Sequence, residues 1–519
     1  MATLNLNGPT NVSILLRAIR RYADRPVLSA PDRVITYRQL GEQVAQAQVA
    51  LHAIGVETET FTAVLGRNGA EAWMIGQAIH AMGGRVCNLH PMGSLVDHLG
   101  VLNRCGASHL VVDASGYAAR GQEIAEARPD LKVYSLGPSD FGPDILKLMD
   151  AAGSVTVRDH SDPLGIMGCT FTGGTTGEPK MIIARHRRFA AGNLAFNANF
   201  ELAPVPRVLA TGPITHVTAS LLVPTFIRGG SVHMLTGFNP QEVVRTVEKE
   251  RINTTLMVPT MIYTLLDSPA LQNADMSSLD LVLYSAAPMS PSRLVEAVDR
   301  LGPVFAQLYA QSEIGPITYM PKADHDPDKP ERFGACGFPV PECEVKLLDE
   351  AGEEVPVGEP GEICARAAYA FEGYEGNEEA TAEALRDGWV HTGDIARMDE
   401  EGRLFIVDRK KDMIVSGGFN VYPREIEDVI GTLDEVSACA VIGEPHERWG
   451  EAVCAYVKLK VGSSLSAEAV MQRVKDVKGS VHAPKEVHFV SDLPITPAGK
   501  IDKKPLRAKA WSSADRMVH

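Results

Sequence analysis

Strand-like and helix-like stretches alternate through the first three hundred residues of this chain. Arg33–Tyr37 has the pattern of a strand, and helical spacing follows over Arg38–Ile54 and again over Ala70–Met82. Because strands that alternate with helices form parallel sheets covered by helices, this order predicts an α/β fold. Further strands are predicted at Phe61–Gly66, His109–Asp113, Thr254–Val258 and Asp280–Tyr284.

The pattern becomes α+β after Asp408, and 519 residues are too many for one hydrophobic core. We therefore predict an N-terminal domain over 1–408 and a C-terminal domain over 413–519. The boundary, 409–412, begins with three cations, a run that is usually just a solvated turn. In the C-terminal domain we predict helices at Pro423–Leu433 and Ala467–Val477, and strands at Ala438–Ile442, Ala452–Lys460 and Glu486–Val490.

Composition narrows the class of protein. Hydrophobic residues make up 45% and charged residues 22%, as in an ordinary soluble globule, and the net charge of −15 gives no support for a nucleic-acid or anionic-membrane partner. Eight cysteines without a C-x-x-C pair indicate neither a zinc site nor a disulfide scaffold. The basic run Arg185–Arg188 is interpreted as a solvated helix face. Without a signal peptide or a membrane-length apolar run, a cytoplasmic location is predicted. No feature indicates an oligomeric state.

A glycine-rich loop carries the strongest functional signal. It follows the strand-like Leu164–Met167 and combines glycines, which let backbone N–H groups approach a ligand, with hydroxyls and an ammonium that donate to phosphate oxygens. Glu178–Pro179 breaks the Gly-Lys-Ser/Thr order of the common NTPase loop. A nucleoside triphosphate is the predicted ligand, and a mobile surface linker is the structural alternative. The loop residues are Thr172, Gly173, Gly174, Thr175, Thr176, Gly177 and Lys180.

Six further stretches follow in an order that resembles the adenylate-forming superfamily, which includes acyl-CoA synthetases, peptide-synthetase adenylation domains and luciferases. The resemblance spans about residues 35–506. It implies a large N-terminal domain of helix-covered parallel sheets with a distorted barrel, and a small mobile α+β domain. The stretches are Tyr309–Glu313, Gly373–Thr381, Trp389–Asp394, Asp408–Ile414, Ser416–Pro423 and Pro497–Lys500.

The resemblance implies that ATP and a carboxylic acid form an acyl-adenylate and pyrophosphate. Lys500 matches the lysine that bridges the carboxylate and the α-phosphate, and Glu313 matches the magnesium-binding glutamate, with a buried ion pair as its structural alternative. The implied catalytic residues are Lys180, His216, Glu313 and Lys500. The remaining implied nucleotide contacts are Ser285, Ala286, Tyr309 (a ring for adenine), Ser312, Asp394 (for the ribose hydroxyls) and Arg409.

The implied acid pocket contains no charged side chain other than a histidine. Amino-acid-activating relatives carry an aspartate near the His216 position, so its absence here argues against an amino acid. Ala310 replaces a frequent glycine and narrows the pocket by a methyl group. A neutral, mostly apolar acid is expected, either aryl, medium-chain or polycyclic. The pocket residues are His216, Val217, Thr218, Ala287, Ala310, Ile314 and Gly315, beside Ser285 and Ala286.

A second half-reaction is implied, in which the C-terminal domain turns about Lys411 and presents Gly417, Gly418 and Phe419 as a tunnel for the acceptor thiol. CoA is the leading acceptor, and an amine, giving an amide, is the close alternative. A silent nucleotide-binding protein is the alternative of another class. The joint presence of Glu313, Asp394, Arg409 and Lys500 weighs against it.

Overall fold

A computed structural model describes residues 8–30, 33–172, 179–287, 289–416, 419–446, 449–496 and 500–511. The fold is mixed α/β, with a large N-terminal domain built on parallel sheets and a smaller C-terminal domain. Both features confirm the predicted fold class. Among the described helices, none combines the length and apolar character needed to cross a bilayer.

The first sheet has six strands, all within residues 61–185, in the order β6-β5-β3-β4-β7-β8. The strand pairs are parallel except for the β7–β8 hairpin. The elements are α1 (Asn11–Arg21), β1 (Pro26–Ala30), β2 (Arg33–Thr36), α2 (Tyr37–Ala53), β3 (Phe61–Leu65), α3 (Ala70–Ala81), β4 (Arg85–Asn88), α4 (Leu95–Cys105), β5 (His109–Asp113), α5 (Ala114–Ala127), β6 (Lys132–Leu136), α6 (Ile145–Ala151), β7 (Ile166–Thr172) and β8 (Lys180–Arg185).

Residues 186–339, with β1 and β2, form a nine-stranded sheet in the order β15-β14-β13-β12-β11-β9-β10-β1-β2. Its six central strands are parallel. The further elements are α7 (His186–Asn199), β9 (Arg207–Ala210), α8 (Leu222–Ile227), β10 (Ser231–Met234), α9 (Pro240–Glu250), β11 (Thr254–Met257), α10 (Pro259–Leu266), β12 (Leu281–Ser285), α11 (Pro291–Leu301), β13 (Phe305–Gln311), β14 (Gly315–Met320) and β15 (Phe338–Pro339). Short 3-10 helices are Val217–Leu221, Pro269–Leu271, Lys322–Asp324 and Pro330–Gly334.

A five-stranded antiparallel sheet completes the N-terminal domain where the resemblance implied a distorted barrel. Its order is β16-β17-β19-β18, and the fifth strand, β20, pairs with β19. One core cluster, which includes Leu347, Ile363 and Leu404, packs within it. The elements are β16 (Cys343–Leu348), β17 (Gly361–Ala367), α12 (Glu378–Ala384), β18 (Leu385–Arg386), β19 (Trp389–Met398) and β20 (Leu404–Arg409).

The strands of the C-terminal domain pair only with one another in the part of the chain that the structure describes. The first helix ends at Ile430 rather than at the predicted Leu433, because the poor helix formers Gly431 and Thr432 follow it. After a 3-10 turn at Lys410–Asp412, the elements are β21 (Ile414–Ser416), β22 (Phe419–Val421), α13 (Pro423–Ile430), β23 (Val436–His446), β24 (Gly450–Leu459), α14 (Ala467–Lys478), β25 (Glu486–Phe489) and α15 (Lys503–Trp511).

The two domains touch through α11 and α13. Ser292 donates to the carbonyl of Gly431 at 2.6 Å, and the Arg424 guanidinium donates to the carbonyl of Met289 at 3.3 Å. The Arg424 backbone N–H also donates to Asp408, the last residue of the predicted N-terminal domain, at 2.9 Å. These bonds hold the C-terminal domain against the start of α11 and the end of β20. The boundaries at 408 and 413 and the hinge between them stay predictions.

Candidate active site

Asp394 on β19 is the centre of a hydrogen-bonded group. Its carboxylate is buried, with 5% of the residue exposed, and one oxygen accepts the Tyr309 hydroxyl and the Gln311 amide, both at 2.7 Å. The other oxygen lies 3.2 Å from Nε of Arg409. Burial and Asp394 raise the pKa of Tyr309, so its phenol remains a donor. The structure thus brings the predicted Tyr309, Asp394 and Arg409 together.

Lys500 approaches this centre from the C-terminal domain. Two bonds to Thr496 position it: the Thr496 N–H donates to the Lys500 carbonyl at 2.7 Å, and the Lys500 N–H donates to the Thr496 hydroxyl at 3.1 Å. Burial and the nearby Arg409 lower the pKa of Lys500 to about 8, although Asp394 acts in the opposite direction. The Lys500 ammonium of the C-terminal domain therefore lies near Asp394 and Arg409, the residues for which the resemblance implied contacts with the nucleotide.

Glu313 and Lys180 converge on Tyr374, a residue to which no role was assigned from sequence. The Tyr374 hydroxyl donates to Oε1 of Glu313 at 2.8 Å, and the Lys180 ammonium lies 4.8 Å from the centre of the Tyr374 ring. Burial and Glu313 raise the pKa of this phenol, which keeps it a donor. Lys180 begins β8 directly opposite Thr172 on β7. The ends of the glycine-rich loop are thereby fixed, while Gly173, Gly174, Thr175, Thr176, Gly177 and Glu178 lie outside the described residues.

The basic run at the start of α7 is not a solvated helix face, which corrects the sequence interpretation. Arg188 is buried, donates from Nε to the Tyr369 carbonyl at 2.9 Å and also bonds the Ser312 carbonyl. Burial lowers its pKa to about 10. Arg185 and Arg187 both pair with Glu372. The run therefore ties the residue before Glu313 to the segment around Tyr369 and Glu372, and Ser312 itself is exposed.

His216, a predicted pocket residue, contacts the first parallel sheet. His216 lies just before the Val217–Leu221 helix, and its ring centre is 4.7 Å from that of His90, which follows β4. His216 is an exposed residue, and desolvation of its ring together with the neighbouring His90 lowers its pKa to about 4. The imidazole is therefore neutral near pH 7.

Asn68, after β3, clamps the segment that leads to His216. Its amide donates to the Gly212 carbonyl at 2.8 Å, and its carbonyl accepts the Ile214 N–H at 2.9 Å. Sequence patterns gave no signal for Asn68 or His90, because the contacts cross from one sheet to the other.

The remaining predicted residues differ in placement. Ala286 adopts a left-handed φ of 74°, a strained state for alanine that fixes the turn after Ser285. Gly315 has a φ of 73° and would place a Cβ 3.4 Å from the Tyr369 ring. Ile314 and Thr218 are fully buried, so they back the pocket rather than face it, whereas Val217, Ala287 and Ala310 are half-buried.

The predicted acceptor tunnel lies partly outside the described residues. Gly417 and Gly418 lie outside the described residues, and Phe419 is 60% exposed. Nothing in the contacts places Phe419 at the Asp394 centre. Lys411 lies in the 3-10 turn between β20 and β21.

Lys500 gives the site a testable pH dependence. Its ammonium loses its proton as pH rises through about 8, so kcat/KM for ATP should fall above that pH. In the Lys500→Arg variant, whose guanidinium stays charged, any residual activity should lack this alkaline limb. Initial rates between pH 6 and 10 measure the effect. A fall at the same pH in both proteins would assign the limb to another group.

A buried carboxylate paired with an arginine, beside a lysine from a second domain, offers an acceptor for hydroxyl groups and two cations for anionic groups. Residues 15–375 match the family described as AMP-binding enzyme, and residues 425–500 match the AMP-binding enzyme C-terminal domain. The chain therefore belongs to the AMP-binding enzyme family, and it is an AMP-forming ligase.

Proteins similar to this chain include two CoA ligases and one amide bond synthetase. The medium/long-chain-fatty-acid–CoA ligase FadD8 of Mycobacterium tuberculosis is 40% identical, over 99% of this chain and 92% of its own. The indoleacetate–CoA ligase of Aromatoleum aromaticum is 32% identical, over 92% and 93%. The solved amide bond synthetase McbA from Marinactinospora thermotolerans has a TM-score of 0.89 and 31% identity, over 96% and 99%.

Proposed function

We propose that this enzyme activates a neutral carboxylic acid with ATP and transfers the acyl group to CoA. The meeting of Asp394, Arg409 and Lys500 is the observation that carries the first half-reaction. It supplies an acceptor for ribose hydroxyls and two cations for phosphate and carboxylate oxygens. Such a set is what a nucleotide and a second anion require in one place.

The substrate carboxylate attacks the α-phosphorus of ATP, which forms the acyl–phosphate bond and expels pyrophosphate. Two anions must approach each other, so positioned positive charge lowers the barrier. We assign Lys500 to the α-phosphate and the attacking carboxylate, Arg409 to the ribose or phosphate, and Lys180 with the glycine-rich loop to the β- and γ-phosphates. Tyr309 and Gln311 orient Asp394 toward the ribose.

Glu313 has the chemistry of a magnesium ligand. Tyr374 occupies its Oε1, and Oε2 accepts no hydrogen bond from the described residues. One carboxylate oxygen suits an ion that keeps several waters and also binds phosphates. When bound, magnesium would neutralise charge on the triphosphate.

Glu313→Gln should raise the magnesium concentration needed for half-maximal adenylation, because an amide binds a hard cation less well than a carboxylate. Tyr374→Phe, which removes the hydrogen bond but keeps the carboxylate, is the matched control and should shift that concentration much less. Pyrophosphate release across a magnesium titration measures both. An unchanged magnesium requirement in Glu313→Gln would make Glu313 structural.

The pocket supports a neutral, mostly apolar acid. A neutral His216 and the small Ala287, Ala310 and Gly315 provide no charged partner for an amino or second carboxylate group. The ligases named above act on fatty and indoleacetic acids, which are acids of this type. Aryl, medium-chain or polycyclic acids are the candidates.

Two acyl acceptors are candidates, CoA and an amine. The 40% identity to a CoA ligase favours CoA, while the similarity to an amide bond synthetase supports an amine as the second candidate. The test incubates the enzyme with ATP, magnesium and a carboxylic acid that it adenylates, together with CoA or with a panel of amines. The products are identified by mass. Thioester formation much faster than amide formation is expected. The reverse order would assign the amide-forming function.

A further inference from the structure

Glu362 is a buried carboxylate that has no part in the reaction proposed above. It lies on β17 directly opposite Ile395 of β19, and only 7% of the residue is exposed. A buried charge is costly unless cations and hydrogen bonds compensate it. The contacts of its two carboxylate oxygens therefore indicate what Glu362 does in the fold.

One oxygen of Glu362 stabilises an irregularity in β19 next to Asp394. Where β17 and β19 pair, Ile363 alone stands opposite residues 392–394 of β19, so the β19 backbone bulges. Within the bulge Gly393 has a left-handed φ of 69°, and its N–H donates to Oε1 of Glu362 at 3.1 Å. A bulge leaves backbone groups without ladder partners and re-aims nearby side chains. Glu362 supplies the missing acceptor and thereby fixes the residue directly before Asp394.

The other oxygen of this carboxylate faces two cations. Oε2 lies 3.6 Å from a guanidinium nitrogen of Arg386 and 3.7 Å from the Lys410 ammonium. Lys410 begins the 3-10 turn that follows Arg409 on β20, and Arg409 is the direct partner of Asp394 across β19 and β20. One carboxylate thus bonds to the strand that carries Asp394 and pairs with the turn after Arg409.

A metal site is the alternative for this group, because Cys364 and His391 place ligand atoms within 4.8 Å of a Glu362 oxygen and of each other. The cations argue against it. The Arg386 guanidinium donates to Nδ1 of His391 at 2.7 Å. Burial and Glu362 raise the pKa of the Cys364 thiol to about 12, so the thiol stays protonated. The positive charge that balances Glu362 therefore comes from the protein itself.

We propose that Glu362 is a positioning residue that aims the Asp394 carboxylate at the ribose hydroxyls of the nucleotide. The inference rests on the proposed function, in which Asp394 binds those hydroxyls. One Asp394 oxygen accepts two hydrogen bonds and the other meets Arg409, so a small rotation of the Asp394 backbone would disturb both. Glu362 opposes that rotation because it holds the N–H of Gly393, and the two cations keep its carboxylate in place.

The test compares the binding of ATP with that of 2′,3′-dideoxyATP, which lacks both ribose hydroxyls. Calorimetric Kd values with magnesium require no acid substrate. The full-length wild type should bind ATP about tenfold or more tightly than dideoxyATP, the order of one hydrogen bond to a charged group. In Glu362→Ala, Kd for ATP should rise about tenfold and approach Kd for dideoxyATP, which should itself change little. General damage to the site would instead weaken both nucleotides equally.

Two further variants complete the test. Glu344→Ala removes an exposed glutamate that pairs with Arg366 in the same sheet, and it should leave both Kd values unchanged. Glu362→Gln keeps the side-chain volume but not the charge, and it should show the same selective change to a smaller degree, also where a lowered Tm shows that Glu362→Ala is not folded. An unchanged ATP preference in the folded Glu362 variants, or equal weakening of both nucleotides, would overturn the proposal. A wild type that binds both nucleotides equally would overturn it too, and would also remove the ribose role of Asp394 from the proposed function.

Discussion

Lys500→Ala is expected to reduce adenylation by ~10²–10³-fold, the usual cost of losing one positioned donor at a centre where charge develops. The Lys500 side chain is the cation that the C-terminal domain adds beside Arg409 and Asp394. ATP binding should change much less, since the glycine-rich loop and Asp394 remain. Acid-dependent pyrophosphate release measures the loss.

Two comparisons separate catalysis from folding. Lys475→Ala, at an exposed lysine on α14 of the same domain, should leave the rate unchanged. The acceptor step, started from supplied acyl-adenylate, should be largely retained in Lys500→Ala. A Lys500→Ala rate within about threefold of wild type, far below the loss expected for such a donor, would remove Lys500 from the mechanism.

Lys411→Pro should separate the two half-reactions. Lys411 lies in the first turn of a 3-10 helix, where a backbone N–H has no partner within the helix, so proline fits the observed conformation. Proline fixes φ near −65°, about the value of that turn, and resists the second backbone state that a hinge requires. Lys500 already lies near Arg409 and Asp394 in this structure, so adenylate should form at close to the normal rate. Transfer to CoA should then fall steeply.

Single-turnover measurement of each half-reaction tests the hinge, and Lys411→Ala is the matched control because it removes the side chain but leaves φ free. The control should retain both steps. Equal loss of both steps in Lys411→Pro would indicate a misfolded boundary. Normal rates for both would place the hinge elsewhere.

Local patterns predicted the parts of the fold that local physics determines. The Thr36 hydroxyl accepts the Gln39 N–H and the Gln39 side chain reciprocates, and this capping box starts α2 at Tyr37, one residue before the predicted position. Residues 109–113 form the predicted strand without change. At the site, ordered motifs found Asp394, Arg409 and Lys500, and the structure brings all three together.

Side-chain contacts between elements that are distant in the chain could not be predicted from sequence patterns. Arg188 resembles its charged neighbours in the chain, and only the packing of α7 shows that it is buried against the Ser312 segment. Tyr374 and Gln311 lay inside recognised motifs, yet their bonds to Glu313 and Asp394 join residues 61 and 83 positions apart in the chain.

Acid-dependent exchange of labelled pyrophosphate into ATP is the most direct test of the account, because it reports reversible acyl-adenylate formation without any acceptor. The assay uses the wild-type enzyme, ATP, magnesium and a panel of fatty, aryl and polycyclic acids. The account predicts that exchange requires a neutral acid and is lost in Lys500→Ala. It also predicts that AMP is released when CoA is added. ATP binding with no exchange for any acid, or hydrolysis of ATP to ADP and phosphate, would contradict it.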